Sequence, residues 1–155
     1  MYIQWKKSYE TGHPLIDAEH RLLVMLFRKL DVAIKTRESE TTISRIVQEV
    51  KQYVKFHFTS EENLMHETNY SGIEEHIALH AQLLMELNNM MGKLTLHKEF
   101  PEDILYFLSD WLTKHIAHHD QLLAQHVGNS SDRPVAELIY PEYLQAITAQ
   151  GSIPD

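Results

Sequence analysis

The stretch Ile43–Leu64 reads ISRIVQEVKQYVKFHFTSEENL. Ile43, Ile46, Val50 and Val54 recur at intervals of three and four, which places them on one face of an α-helix. The same stripe continues through His57, Glu61 and Leu64. An apolar stripe of this kind needs partner helices to bury it. A stripe that turns into imidazole and carboxylate needs, in addition, something that satisfies those polar groups once they are buried. This helix is predicted to run from about Ile43 to Thr68.

Three more amphipathic segments flank this helix. Residues 1–16 read as an extended arm, because Gly12 and Pro14 break any helix there. Asp17 is the expected cap of a first helix reaching about Arg37, with Leu23, Phe27, Leu30 and Ile34 at helical spacing. The polar run Glu38-Ser39-Glu40-Thr41-Thr42 ends that helix and caps the next. Asn69-Tyr70-Ser71-Gly72 is a turn, and Ser71 with Glu74 forms a capping-box pattern. A third helix then runs to about Leu96 with Ile73, His76, His80, Leu84, Leu87 and Met91 along it. Pro101 suits the first turn of a fourth helix, and Glu102 and Asp103 suit its positive end. That helix continues to about Val127, where Gly128 is the expected stop.

Four such helices with short connections predict an all-α, antiparallel up-down four-helix bundle over residues 1–128, with an N-terminal arm. Residues 129–155 read as a C-terminal extension. It is polar around Ser130-Ser131-Asp132-Arg133-Pro134, then carries a short helix over Pro141–Thr148. Leu138, Ile139, Tyr140, Tyr143 and Leu144 are placed to pack there on the bundle or on a protein partner.

The totals narrow the function. At 155 residues the chain fits one domain, and 43% hydrophobic with 23% charged residues is ordinary for a globular protein. A net charge of -8 with no cluster of Lys and Arg argues against nucleic acid or an anionic membrane as partner. The absence of Cys excludes disulfides, iron–sulfur sites and thiol catalysis. The start, Met1-Tyr2-Ile3-Gln4-Trp5-Lys6-Lys7, has no apolar leader, and no run is long enough to span a bilayer, so a soluble cytoplasmic protein is expected, with a monomer favoured over an oligomer. The unusual total is eleven His.

Their positions matter more than their number. His57 and Glu61 are four apart, as are His76 and His80, and such pairs are offset by only about 40° on a helix. His20 lies on the stripe of the first helix, and His115 follows Leu108, Trp111 and Leu112 on the fourth. Each helix therefore sends at least one imidazole toward the bundle axis. A single inward His is usually a hydrogen-bonded core residue. Four helices sending imidazoles to one place are not explained that way, because burying them with a carboxylate and no cation costs several kcal/mol, on the order of the desolvation of each group. Imidazole and carboxylate without sulfur suit Fe, Mn, Zn or Ni. The donors outnumber those of a tetrahedral zinc, whereas two metals bridged by carboxylate would use them all. The Glu-x-x-His pattern of ferritin-like dinuclear bundles occurs only at Glu10–His13, in the arm, which argues against that class. On the fourth helix, spacing alone selects His119, four after His115, as the second inward donor. Asp120, five after, is offset by about 140° on an ideal helix.

Four stretches together resemble the hemerythrin family in its single-domain bacterial form. They are Gly12-His13-Pro14-Leu15-Ile16-Asp17-Ala18-Glu19-His20, His57-Phe58-Thr59-Ser60-Glu61-Glu62-Asn63-Leu64-Met65, His76-Ile77-Ala78-Leu79-His80 and His115-Ile116-Ala117-His118-His119-Asp120. The resemblance spans about Trp5 to Val127. It implies one iron held by His76, His80 and His115 and a second held by His20 and His57. Glu61 and Asp120 would bridge the two with an oxo or hydroxo group from solvent. The two-histidine iron would then be one ligand short, and dioxygen would bind there. The choice of Asp120 over His119 rests on the resemblance, and a local widening of the helix over residues 116–120 would bring the carboxylate round. Phe58, Met65, Trp111, Leu112 and Ile116 match positions that line the family's oxygen pocket with apolar groups. His13 departs from the family, which commonly has an apolar residue there, and is assigned to the arm. His66, His97, His118 and His126 match no ligand and are assigned to the surface or rim.

The function so implied is reversible dioxygen binding by a carrier, store or supplier, not an enzyme. The competing classes are an oxygen or redox sensor, a di-iron oxidase, peroxidase or nitric oxide reductase, and simple iron storage. Five neutral imidazoles donate less charge to iron than a carboxylate-rich site, which disfavours strong oxygen activation.

Overall fold

Local chemistry sets where each helix starts and stops. In the computed structural model, which describes residues 4–97 and 100–138, α1 spans Pro14–Lys35, α2 Glu40–Glu67, α3 Ile73–Thr95 and α4 Pro101–His115. The last helix continues through a π-helical turn, Ile116–Asp120, into α5, Gln121–Asn129. α1 packs on α2 and α4, and α3 packs on the same two, which is the square, antiparallel arrangement expected. None of the helices among the described residues is long and apolar enough to cross a membrane.

α1 begins earlier than the sequence suggests. Pro14 is its first residue, where a missing N–H costs nothing, and His13 is its cap, Nδ1 accepting from the Ile16 N–H at 3.4 Å. His13 is thus buried at a helix end and not part of a loose arm. Asp17 lies one turn further in and fixes the approach to the helix. Its carboxylate accepts from the Thr11 N–H (2.7 Å), the Thr11 hydroxyl (2.8 Å) and the Gly12 N–H (3.0 Å). Gly12 has φ +85°, a conformation that favours glycine. The rest of the described arm, including a 3-10 turn at Lys7–Tyr9, lies against the bundle through Trp5 and Tyr9.

α2 starts as expected, with Ser39 Oγ accepting from the Thr42 N–H at 3.1 Å. α3 does not start on Ser71. After α2 the chain turns through Asn69 (φ 51°) and the Tyr70 N–H returns to the Met65 carbonyl, which moves the cap position on by one residue to Gly72. The Tyr70 ring lies where a side chain at residue 72 would stand, 2.8 Å from an added Cβ, so glycine is the residue that fits. At α4 the Asp103 carboxylate accepts from the Phe100 N–H at 3.4 Å, beside Pro101 at the first position. Gly128 is not a stop. Its φ is not left-handed, and the helix runs on to Asn129 before Ser130 turns extended.

The expected apolar stripes form the core, but Ile34, Ile73, Leu84, Met91 and Trp111 are only partly buried, and on α3 Leu83 is buried in place of Leu84. The buried apolar residues fall into two groups. The larger includes Leu23, Phe27, Leu30, Val50, Val54, Leu87, Leu108 and Ile116; the smaller is Ile16, Leu64, Met65, Leu123, Ala124 and Val127. Past α5, a 3-10 turn at Val135–Leu138 lies on the small group through Ala136. It is tied down by the Val135 N–H to Glu67 (3.1 Å) and, upstream, by Asn69 Nδ2 to Asp132 (3.2 Å). Leu138, expected to pack, is exposed. The helix expected over Pro141–Thr148 and the apolar positions from Ile139 onward lie outside the described residues.

Candidate metal centre

Between the two apolar groups lies a layer of polar side chains that is almost sealed from solvent. His20, His57, Glu61, His76, His80, His115 and Asp120 are each at most 4% exposed. Each helix reaches the layer from its own stripe: α1 with His20 between Ile16 and Leu23, α2 with His57 and Glu61 between Val54 and Leu64, α3 with His76 and His80 before Leu83. The fourth rod supplies His115 from the end of α4 and Asp120 from the π-turn. An i→i+5 closure adds one residue to the turn, so the residue five along, not four along, comes to the same face. Asp120 is consequently fully buried, and His119 is pushed to the rim, partly exposed. The choice that ideal spacing gets wrong is reversed by this one local widening.

Two sets of donors result among the described residues. Glu61, His76, His80 and His115 form one, and His20, His57, Glu61 and Asp120 the other. The carboxylates reach both. Glu61 Oε1 lies 3.4 Å from His57 Nε2 and 3.8 Å from His20 Nε2, while Oε2 lies 3.1 Å from His80 Nε2 and 3.5 Å from His76 Nε2. Asp120 Oδ2 lies 3.0 Å from His20 Nε2, and Oδ1 lies 3.0 Å from His115 Nε2 and 3.3 Å from His76 Nε2.

These short approaches are not a hydrogen-bond network. Both oxygens of Glu61, both of Asp120, and Nε2 of His20 and His80 lack a hydrogen-bond partner despite their neighbours, because the groups point past one another toward shared points. His76 Nε2 and His115 Nε2 face each other at 2.9 Å. Buried polar atoms left in this state cost about 1–3 kcal/mol each, and a cation at the shared points removes that cost. The donor set therefore fits metal ions.

Electrostatics agree. Burial disfavours a charged His57, yet the charge of Glu61 and the hydrogen bond that His57 donates to Glu19 outweigh it and raise its pKa to about 9. Burial likewise opposes a charged His76, and its contacts with Asp120 and Glu61 raise it to about 9. Burial and mutual repulsion work against ionised Glu61 and Asp120, but the surrounding imidazoles hold both well below the usual carboxylate range. With nothing else present, protons on imidazole take the part of the cation.

The imidazoles are oriented from behind. His57 Nδ1 lies 2.7 Å from the buried Glu19 carboxylate, which also accepts from Ser60 Oγ at 2.8 Å. His80 Nδ1 lies 3.1 Å from Glu62. A proton held on Nδ1 leaves the Nε2 lone pair free for a metal. Glu19, Ser60 and Glu62 are not legible as site residues in the sequence. Glu19 and Glu62 sit next to His20 and Glu61 in the chain and so point elsewhere on their helices; only helix packing brings them to an imidazole.

The apolar residues expected around a pocket lie on both sides of the layer. Phe58 stacks on His80 (ring centroids 3.7 Å apart) and Trp111 on His115 (4.2 Å), so both wall the three-histidine set. Leu112 and Ile116 belong to the large apolar group and Met65 to the small one. Of the remaining imidazoles, His66, His97 and His118 are exposed, and His126 is partly buried with Nε2 2.8 Å from the Thr68 carbonyl.

Residues 11–127 match the family described as the hemerythrin HHE cation binding domain. The bacteriohemerythrin of Stenotrophomonas maltophilia (strain R551-3) is 27% identical over 123 residues, 79% of this chain and 80% of that one. The bacteriohemerythrin of Aquifex aeolicus (strain VF5) is 26% identical over 133 residues, 83% of this chain and all of that one (100%). The crystal structure of a wild-type hemerythrin superposes with a TM-score of 0.74 at 25% identity, covering 82% of this chain and 98% of that one.

Proposed function

The chain belongs to the hemerythrin family, and we propose that it holds two iron ions and binds dioxygen reversibly, as a carrier, store or supplier and not as an enzyme. One observation carries the reading: each of the two buried carboxylates directs one oxygen to each set of imidazoles. Glu61 and Asp120 would bridge two ions, together with an oxo or hydroxo group from solvent. His76, His80 and His115 would complete one position, and His20 and His57 would leave the other one donor short. Ferrous ions there would supply the electrons that dioxygen takes up on binding and returns on release.

The protein's own part is to hold the site and to keep it dry. Glu19 and Glu62 fix the rings of His57 and His80 through Nδ1, so that neutral imidazoles present Nε2 inward. Phe58, Met65, Leu112 and Ile116 are buried, and Trp111 covers His115. Such walls exclude the water and anions that would displace bound oxygen in a reduced form. Imidazole-rich coordination, as opposed to carboxylate-rich, favours release of intact dioxygen over its use on a substrate.

The test is to load the metal-free protein with ferrous iron under anaerobic conditions, count the bound metal, and cycle air and inert gas while recording the visible spectrum. Two irons per chain and a charge-transfer band that comes with oxygen and leaves with it are expected. Irreversible oxidation on the first exposure to air would overturn the carrier reading, and a single tightly held zinc would overturn the di-iron reading. His76→Ala should lower the iron content; unchanged stoichiometry would refute its place as a ligand.

A further inference from the structure

A centre this deeply sealed poses a problem of entry. The seven donors are at most 4% exposed, Phe58 and Trp111 lie flat on two of the imidazoles, and Glu19 backs a third. A divalent ion in water carries a tightly held hydration shell, and it moves into a protein site by exchanging ligands one at a time. Two imidazoles outside the donor sets are placed for such exchange.

His119 is partly exposed, with its ring 5.2 Å from that of His115 and 5.9 Å from that of His76. His118 is exposed and stands edge-on to His119 at 4.8 Å. Among the described residues no other imidazole outside the donor sets has a ring contact with two of their members. The π-turn that brings Asp120 inward is what leaves His119 at the rim, between α3 and the fourth rod. His115 and His76, which it touches, are also the two most exposed imidazoles of the donor sets, at 4% and 2%.

We propose that His118 and His119 form an entry port for divalent metal, at which an ion is captured from solvent by imidazole nitrogen and passed inward to His115, His76 and Asp120. The proposal rests on the reading of the buried layer as a metal centre. Each handover makes one metal–ligand bond as another is broken, water leaves in the process, and no electron is transferred. His118 and His119 alone offer too few donors to compete at equilibrium with the buried sets, so they act on the rate and not on the final occupancy. A port of this kind lowers the same barrier in both directions, which gives it a signature that neither a ligand nor a purely structural residue shares.

The experiment follows uptake of ferrous iron, and separately of cobalt(II), by the metal-free full chain in anaerobic stopped flow, together with stripping of the loaded protein by a chelator. His119→Ala and the shape-conserving His119→Gln are compared with wild type, with His118→Ala, and with His66→Ala, which removes an exposed imidazole from another helix. The expected result is that both His119 variants load and release about tenfold more slowly, a barrier increase of about 1.4 kcal/mol. His118→Ala should show a smaller change and His66→Ala none, with stoichiometry and equilibrium affinity as in wild type throughout. Unchanged rates in the His119 variants would overturn the port. So would a loss of bound metal at saturation or faster release, either of which would make His119 part of the site's equilibrium structure. If wild type itself takes up no metal, the reading of the buried layer fails first, and that outcome is distinct from a failed port.

Discussion

The two apolar groups on either side of the polar layer are built alike but are unequal in strength. The large one draws on all four rods, from Leu23, Phe27 and Leu30 through Val50 and Leu87 to Leu108 and Leu112. The small one has Ile16, Leu64, Met65, Leu123, Ala124 and Val127 as its buried members. The large end can rely on burial, at about 25 cal/mol per Å² of apolar surface. Among the described residues the small end has fewer buried apolar side chains. It leans on the polar layer beside it, on the cap and turn at His13 and Gly12, and on the 3-10 turn at Val135–Leu138. A metal held in the polar layer would tie the smaller apolar group to the larger one, so its removal should be felt most at the smaller end.

The largest test of that contrast is metal removal. With free metal a thousandfold above its dissociation constant, loading should stabilise the fold by about 4 kcal/mol. Stripping it should release amide protection first at the small end, in Leu64–Glu67 and Leu123–Val127, while amides around Leu30 and Val50 stay protected. Hydrogen exchange read by mass spectrometry reports both regions, and equal losses at the two ends would dissolve the distinction.

Core truncation comes next. Phe27→Ala should cost about 3–5 kcal/mol in denaturant unfolding, loaded or not. Leu123→Ala should fall toward the lower part of the about 2–5 kcal/mol range for such changes, because a thin layer can close over the gap. A larger cost for Leu123→Ala than for Phe27→Ala would reverse the ranking of the two ends.

The polar layer adds a pH dependence whose sign is opposite in the two states. In the metal-free protein His57 and His76 are raised from 6.5 to about 9, so their stabilisation is complete below 6.5 and is lost as pH rises through about 9. Glu61 and Asp120 are lowered from 4.5 and 3.8, so theirs is present above those values and is lost as the solution is acidified. The metal-free fold is therefore most stable between about pH 4.5 and 6.5. Metal displaces the imidazole protons, so its stabilisation grows with pH. Thermal melts of the two forms should diverge steadily from about pH 6 to 9; parallel curves would contradict the pKa shifts. The smallest effect belongs to the turn that enters α1. Gly12→Ala, at φ +85°, should cost about 1 kcal/mol by the same unfolding assay, and a neutral result would show that this turn relaxes freely.

Much of this was legible in the sequence, because helices announce themselves locally. The stripes through Leu23, Phe27 and Leu30 and through Ile43, Ile46 and Val50 are buried as their spacing requires. The i,i+4 pairs His57–Glu61 and His76–His80 meet in one layer for the same reason. What failed was local punctuation. Ser71 is not the cap of α3, Gly128 is not a stop, and Asp17 secures a turn, not the helix end that His13 caps. In each case several residues nearby could do the job, and the path of the chain between packed helices chose among them.

Spacing within each segment is enough to place the four stripes and to turn His20, His57, Glu61, His76, His80 and His115 inward, since a regular helix fixes which side chains share a face. Spacing did not select Asp120, which the family resemblance indicated, and the surroundings of the other donors depend on how the helices pack. Asp120 comes inward because a π-turn adds a residue to one helix, a departure that spacing on an ideal helix cannot express. Glu19 and Glu62 become partners of His57 and His80 because neighbouring helices carry them there, across 38 and 18 residues of chain. Periodicity is a property of one segment; a site made by four segments depends on how they are set against one another.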